Sequence, residues 1–250
     1  MESLNEWRLL DLGAVNPHEN QVMEELLIDA RRKNLIPDTL NIRMPGRYVE
    51  VGQKASLSEI NLDFCRSEGI PVVREGVLGG SVHVYGETLP FAVVSREHLN
   101  RKTMMACLIE SLRVLGLSAH IKQGSNNILT GGKKVASTGD RIIDGVFIGG
   151  ASILSDFDFD FCKKVIKKPK DHRDKMTTLR AQLGREVSYD EVVAALKAGF
   201  ESVLQVEFVV SNSLTEAEET LREGLLVKYR SDEWLKYGKW SPVKDYWRPK

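Results

Sequence analysis

Cysteine is scarce in this chain of 250 residues: Cys65, Cys107 and Cys162 stand far apart, without C-x-x-C spacing. That excludes a disulfide framework, and a thiolate metal site built from these residues alone, and it points to a reducing, intracellular compartment. A surplus of either charge is also missing, with 35 Lys plus Arg against 35 Asp plus Glu. A nonspecific nucleic-acid binder needs a basic excess to neutralise phosphates, so that class is set aside. No apolar run approaches the roughly 20 residues of a membrane-spanning helix. The polar start, M-E-S-L-N-E-W-R, has no apolar signal core. A cytoplasmic protein with neither nucleic acid nor membrane as partner is expected. The histidines, His18, His83, His98, His120 and His172, show no metal-ligand spacing. Walker A loops, G-x-S-x-G elbows and a G-x-G-x-x-G after a strand are absent as well.

What is present suits a folded domain. Hydrophobic residues make up 42% and charged residues 28%, enough apolar surface for a full core. Trp7 to Leu12 reads as a strand. Asn16-Pro17 opens a helix, with proline tolerated in the first turn and Val22, Leu26 and Leu27 recurring on one face. Leu40, Ile42 and Met44 alternate with polar residues, as in a half-buried strand, and Tyr48 to Gly52 makes another. Asn61 caps a helix that runs to Gly69, and Pro71 to Val73 returns as a strand. Gly76 to Ser81 must be a loop. Val82, Val84 and Leu89 to Val94 suggest two strands joined by a turn at Gly86. Met104 to Leu115 is an amphipathic helix, and Ala119 to Ser155 holds three or four antiparallel strands. Phe161 to Lys168 reads as a helix that stops before Pro169. Ser188 to Leu204 and Leu214 to Tyr229 are helices opened by capping boxes, Ser188 with Glu191 and Thr215 with Glu218. Val206 to Val210 is a strand between them. Runs of strands with intervening helices give an α+β fold with a large mixed, mostly antiparallel sheet. The best linker, Pro169 to Met176, divides residues 1–170 from a small helical segment, 171–250, packed on them.

Two glycine-bearing segments carry the chemistry. In P-V-V-R-E-G-V-L-G-G-S, Arg74 ends a strand and Gly79-Gly80 follows, so a guanidinium fork and close backbone N–H groups can meet an anion. The plain alternative is a hairpin loop with glycines at positive φ. In S-N-N-I-L-T-G-G-K-K-V-A-S, from Ser125 to Ser137, a tight Gly-Gly turn precedes Lys133 and Lys134 at a strand start. Only one of the two lysines can face a site. A lysine there can neutralise charge developing on a phosphate or acyl oxygen, and Asn126 and Asn127 can orient phosphates or waters around magnesium. The alternative is a surface hairpin. Asp156, Asp158 and Asp160 could gather carboxylates for a metal, but such a run more often marks a helix N-terminus, where the dipole favours acidic residues. The basic run Lys163 to Lys175 is a solvated helix end or a dock for an acidic partner.

In order along the chain, these segments resemble the lipoate–protein ligase A family, within the biotin/lipoate A/B protein ligase superfamily. N-P-H-E-N-Q-V-M-E-E-L-L is similar to its first helix, C-R-S-E-G-I-P-V-V-R to the lead into its glycine-rich loop, and the Ser125 to Ser137 segment to its Asn-Asp, Gly and Lys segment. The resemblance implies an ATP-dependent ligase, with lipoate and Mg2+, that forms lipoyl-AMP and passes the lipoyl group to a lysine of an acceptor domain. The acceptor implied is like the glycine-cleavage H protein or a 2-oxoacid dehydrogenase E2, and the ligase is expected to be a monomer. It implies Lys134 as the catalytic residue. It implies Arg74, Leu78, Gly79, Gly80, Ser81, His83, Lys134, Val135 and Ala136 around lipoyl-AMP. Asn126, Asn127 and Lys134 fall to the nucleotide, with Asn127 as a candidate for Mg2+. The chain departs from the pattern at Glu75, in place of a second arginine, at Leu78, in place of a glycine, and at Val84-Tyr85, in place of His-Asp. Two alternatives stand beside the ligase. An octanoyl transferase of the same superfamily would need a cysteine nucleophile, and Ala119 to Gly132 holds none. A non-catalytic homologue would bind a lipoyl domain without forming an adenylate.

Overall fold

The computed structural model describes residues 5–86, 88–96, 99–169 and 172–240; His98 and the tail beyond residue 240 lie outside it. The chain opens with β1 (Asn5–Ala14) and α1 (Pro17–Arg32), where Asn16 and Glu19 close a capping box around Pro17. β2 (Thr39–Met44), β3 (Tyr48–Val51), α2 (Leu62–Ser67), β4 (Val72–Arg74), β5 (Val82–Tyr85) and β6 (Thr88–Ser95) follow. Asn61 caps α2, and Gly69 ends that turn at a φ of 63°. Next come α3 (Arg101–Val114) and the strands β7 (Ala119–Ile121), β8 (Asn127–Thr130), β9 (Lys133–Ile143) and β10 (Val146–Leu154). The rest comprises α4 (Phe159–Val165), α5 (Leu179–Leu183), α6 (Tyr189–Leu204), β11 (Val206–Ser211), α7 (Glu216–Tyr229) and α8 (Asp232–Tyr237). Both expected capping boxes are present, at Ser188 and Thr215. Asp158 caps α4, so the acidic run is a helix start, as one of its two readings held. α4 ends at Val165, short of the expected Lys168.

Eight strands form one mixed sheet in the order β11-β1-β2-β6-β10-β9-β8-β7, and β4-β3-β5 form a second, small one. β1 pairs in parallel with both β11 and β2, and every other neighbour in the large sheet is antiparallel. The fold is therefore the expected large, mostly antiparallel sheet with helices around it. One detail differs. β5 and β6 are not a hairpin: β5 pairs with β3 and β6 with β2 and β10, so the turn at Gly86 passes the chain from one sheet to the other.

Helices cover both faces of the large sheet. α3 and α6 close one face over Trp7, Leu40, Ile42, Phe91, Val93 and Phe200. They approach tightly: a Cβ on Gly199 would lie 2.3 Å from Ser111 Oγ and 2.5 Å from its backbone N. α1 and α7 close the other face over Leu10, Val22, Leu26, Ala92, Ile148 and Leu225. A two-pronged ion pair ties α7 to β1, with Arg8 donating to Glu218 at 2.8 and 2.5 Å and Glu218 wholly buried. Double coverage is why Thr39 to Arg43 are all buried, where alternation alone predicts a half-exposed strand. Among the described residues no helix is long and apolar enough to cross a membrane.

Candidate active site

Strand alternation decides what the α1 face offers beyond the apolar core. Phe91, Ile153 and Ala136 point into the α3/α6 core, so their neighbours point the other way. Pro90, Ser152, Ser137 and Asn127 are then direct cross-strand partners in one file over β6, β10, β9 and β8. A second file holds Ala92, Gly150 and Gly139. All of these except Ala92, which joins the apolar core, line a cavity of about 330 Å³. Gly150 has no room for a side chain: a Cβ there would sit 2.7 Å from Phe91 O on neighbouring β6 and 3.3 Å from Leu78 Cδ1 above it. The roof is the loop after β4, where Leu78, Gly79, Gly80 and Ser81 line the cavity. Backbone bonds pin this loop to the end of β3, Gly52 N–H donating to Ser81 O at 2.9 Å and Gln53 N–H to Gly79 O at 3.0 Å.

At the β8 end of the cavity stand Asn126 and Asn127. The opposite end, toward β2 and α1, is strongly polar. Arg43 donates to Asn20 at 2.6 Å and to Asn41 at 2.5 Å, and reaches Glu24 at 3.8 Å. Glu50 accepts from Gln21 at 2.8 Å, and its other oxygen pairs with His83 Nδ1 at 3.0 Å. Tyr48 and Tyr85 stack at 4.4 Å beside it, and Tyr85 Oη meets Ser152 Oγ at 3.0 Å. Glu75 turns one carboxyl oxygen onto the backbone N–H groups of Val77 and Leu78, while its second oxygen is buried without a donor. Burial, then the neighbouring Glu24 and Glu50, raise the Glu75 pKa to about 9. Burial also raises Glu24, to about 6, against the pull of Arg43. At neutral pH Glu75 is thus a carboxylic acid beside the Glu24 carboxyl.

Lys134 reaches the same face through a β-bulge. Ile128 pairs with Ala136 but Leu129 pairs with Lys134, so Val135 is an extra residue in β9. Val135 and Ala136 both enter the α3/α6 core, and the parity shift returns Lys134 to the cavity side, three positions along the strand from Ser137. On its other flank the segment after α4 replaces β10: Lys134 N–H donates to Lys175 O at 2.9 Å and Lys134 O accepts from Thr177 N–H at 2.8 Å. The side chain is half-buried, and desolvation lowers its pKa from the usual lysine value. No ion pair or hydrogen bond holds its ammonium among the described residues. Lys133 turns away and donates to Arg173 O at 3.1 Å.

Residues 16–201 match the family model of the lipoyl protein ligase A/B catalytic domain. The chain belongs to this family. An octanoyltransferase LipM from Symbiobacterium thermophilum is 28% identical over 91% of this chain and 97% of its own. Among solved structures, the bipartite lipoate protein ligase of Thermoplasma acidophilum, described with its E2 lipoyl domain, superposes with a TM-score of 0.82 at 25% identity, covering 96% of this chain and 99% of that one. A lipoate-protein ligase A bound with ATP gives a TM-score of 0.81 at 27% identity, over 93% and 99%.

For this lipoyl ligase-family chain the expected site residues divide in three. Leu78, Gly79, Gly80, Ser81, His83, Asn126 and Asn127 line the cavity together. Lys134 stands beside it on the same face, outside its immediate wall. Arg74, Val135 and Ala136 are placed elsewhere. Arg74 is buried with its guanidinium on the backbone oxygens of Leu235 at 2.8 Å and Gly52 at 3.0 Å, and it clamps α8 to the small sheet. Val135 and Ala136 are fully buried on the opposite face because of the bulge. Asn127 supplies one neutral amide oxygen, and among the described residues no three His, Cys, Asp or Glu side chains are grouped to hold a metal. A magnesium ion here would rest on nucleotide phosphates and water, with the Asn127 amide oxygen as a single protein donor. The sequence reading missed Asn20, Gln21, Glu24, Arg43 and Glu50. The signal for Arg43 and Glu50 was their alternation with Leu40, Ile42 and Val49, which reads as a solvated face until α1, bearing Asn20, Gln21 and Glu24, is seen to cover it.

Proposed function

We propose that this protein is an ATP-dependent lipoate–protein ligase, which adenylates lipoate or an acid of similar length and passes the acyl group to a lysine of a lipoyl-acceptor domain. A carboxylate is a poor acyl donor, and adenylation gives it a good leaving group. In the first step a carboxylate oxygen attacks the α-phosphorus of ATP, the bond to the β-phosphate oxygen breaks, and pyrophosphate leaves. In the second, the acceptor lysine's amine attacks the acyl carbonyl, AMP leaves and a proton is lost. Two anions meet in the first step, and screening them is work for a desolvated cation without a fixed partner. Lys134 is such a cation, and this is the observation that carries the reading. Asn126 and Asn127 line the cavity, and in this reading their side-chain amides donate to phosphate oxygens. The Gly79-Gly80 roof gives the mixed anhydride backbone cover against water. The ATP-bound ligase that superposes on this chain supports nucleotide use, and the ligase described with its E2 lipoyl domain supports an acceptor of that kind.

The octanoyltransferase relative favours a second reading, acyl transfer through a cysteine thioester. None of the three cysteines lines the cavity. Burial raises the thiols of Cys107 and Cys162 to about 12 and that of Cys65 above its usual value, which suits packing and not a nucleophile. Lipoate-dependent exchange of labelled pyrophosphate into ATP separates the two. Exchange is expected; its absence with lipoate and octanoate, together with a thioester on the intact protein by mass spectrometry, decides for the transferase.

A further inference from the structure

The end of the cavity remote from Asn126 and Asn127 is not built for hydrocarbon. The file from β8 to β6, extended to Arg43 on β2, spans four inter-strand gaps, roughly 19 Å. An acid whose carboxyl sits near the asparagines therefore puts its tail among Glu24, Glu75, Glu50 and Arg43. The hydrogen bonds there are nearly all spent. Arg43 is held by two asparagine side chains, and Glu50 by Gln21 and His83. What remains is the Glu24–Glu75 pair. The second oxygen of Glu75 receives no donor although the residue is only 4% exposed and lines the cavity. Buried Glu75 and part-buried Glu24, which has Arg43 only at 3.8 Å, adjoin with no donor between them, and such a pair coexists by sharing a proton. An aliphatic tail leaves this pair in place, strips water from the Glu24 carboxylate and gives nothing back. A tail ending in a nitrogen cation donates to both carboxyls and displaces the shared proton, turning two adjacent acids into a charge-assisted pair of hydrogen bonds.

We propose that this cavity selects a carboxylic acid whose far end carries a protonated amine or a similar N–H donor, seated between Glu24 and Glu75. The inference rests on the ligase reading for the placement of the carboxyl, and it names the tail chemistry. Charged and titratable groups facing the pair from the packed elements are Arg43 on β2, Glu50 on β3, His83 and Tyr85 on β5 and Tyr229 on α7. Of these only Arg43 and, when protonated, His83 are cationic. One guanidinium already engaged by asparagines leaves room for one more positive charge.

Titration calorimetry of the full chain at pH 7.5 with omega-aminooctanoic acid, octanoic acid and lipoic acid tests the inference. The amino acid is expected to bind about tenfold or more tightly than octanoic acid, a margin that one charge-assisted contact supplies. It should also release about one proton, read from the dependence of the heat on buffer ionisation. In Glu75→Gln, which keeps an acceptor for the Val77 and Leu78 N–H groups, the preference should shrink to within about threefold and the proton release should vanish. Equal or tighter binding of octanoic or lipoic acid overturns the inference, as does binding of none of the three. Pyrophosphate exchange run in parallel keeps the two readings apart. Exchange with lipoate but no amine preference sinks the tail selectivity alone. Amine-selective binding with no exchange for any acid sinks the ligase and leaves the selectivity standing.

Discussion

Single residues set the chemistry, and they differ in how openly the sequence declares them. The place of Lys134 at the start of β9 was legible because a Gly-Gly turn and two lysines at a strand start form a local pattern. Replacing Lys134 with alanine should lower adenylation by about 100-fold or more in single-turnover assays, the cost of losing a preorganised charge stabiliser. Activity near that of the parent protein would remove it from the mechanism. That neither Val135 nor Ala136 would join it was not legible, since a bulge depends on how β9 meets β8. Glu75 was visible only as a departure from a family pattern; its meaning came from Glu24, a residue 51 positions away that folding places beside it. Its pKa is raised in the folded state, so its contribution to stability is fully present below the ordinary value of 4.5 and is lost as pH rises through about 9. Glu75→Gln carries no such term. Its melting temperature should therefore gain on that of the parent steadily from about pH 5 to about pH 9, and a constant difference across that range would refute the shared proton.

Secondary-structure elements were mostly legible, because caps, glycine stops and apolar spacing are local signals. What these signals could not reveal is which faces would be covered. β2 reads as half-exposed and is buried on both sides, and β5 and β6 read as a hairpin but serve different sheets. Packing between elements gives two tests. Burial raises the Glu218 carboxyl, and Arg8 with the Thr215 cap more than reverses this, leaving it below its usual value. The sign is the ordinary carboxylate one: stability is present above the unfolded value and is lost as pH falls through the folded one. Arg8→Leu should cost about 3–5 kcal/mol in denaturant unfolding, because Glu218 is left buried and unpaired, and adding Glu218→Leu should recover most of it. Gly199→Val should cost about 2 kcal/mol or more, since α3 and α6 must part to admit a side chain beside Ser111.

At the scale of the molecule, the sheet order was the least legible feature, because non-local pairing leaves no trace in spacing. The expected boundary near residue 170 follows a composition change, yet the chain beyond it supplies β11 to the large sheet and α6 and α7 to its two faces. A chain cut after residue 201 loses β11, α7 and the Arg8 partner together. It should keep helical circular dichroism but lose a cooperative thermal transition and become sensitive to brief proteolysis; a sharp transition would show that the catalytic-domain match folds by itself. The parallel pairing of β1 with β11 has a further consequence for how the protein is made. β1 has to wait while residues 15–205 are translated before its outer neighbour exists. Through that interval its amide groups stay open to any other nascent chain, so expression at lowered translation rate, or with a chaperone that shields strands, should decide how much of this protein is recovered in native form.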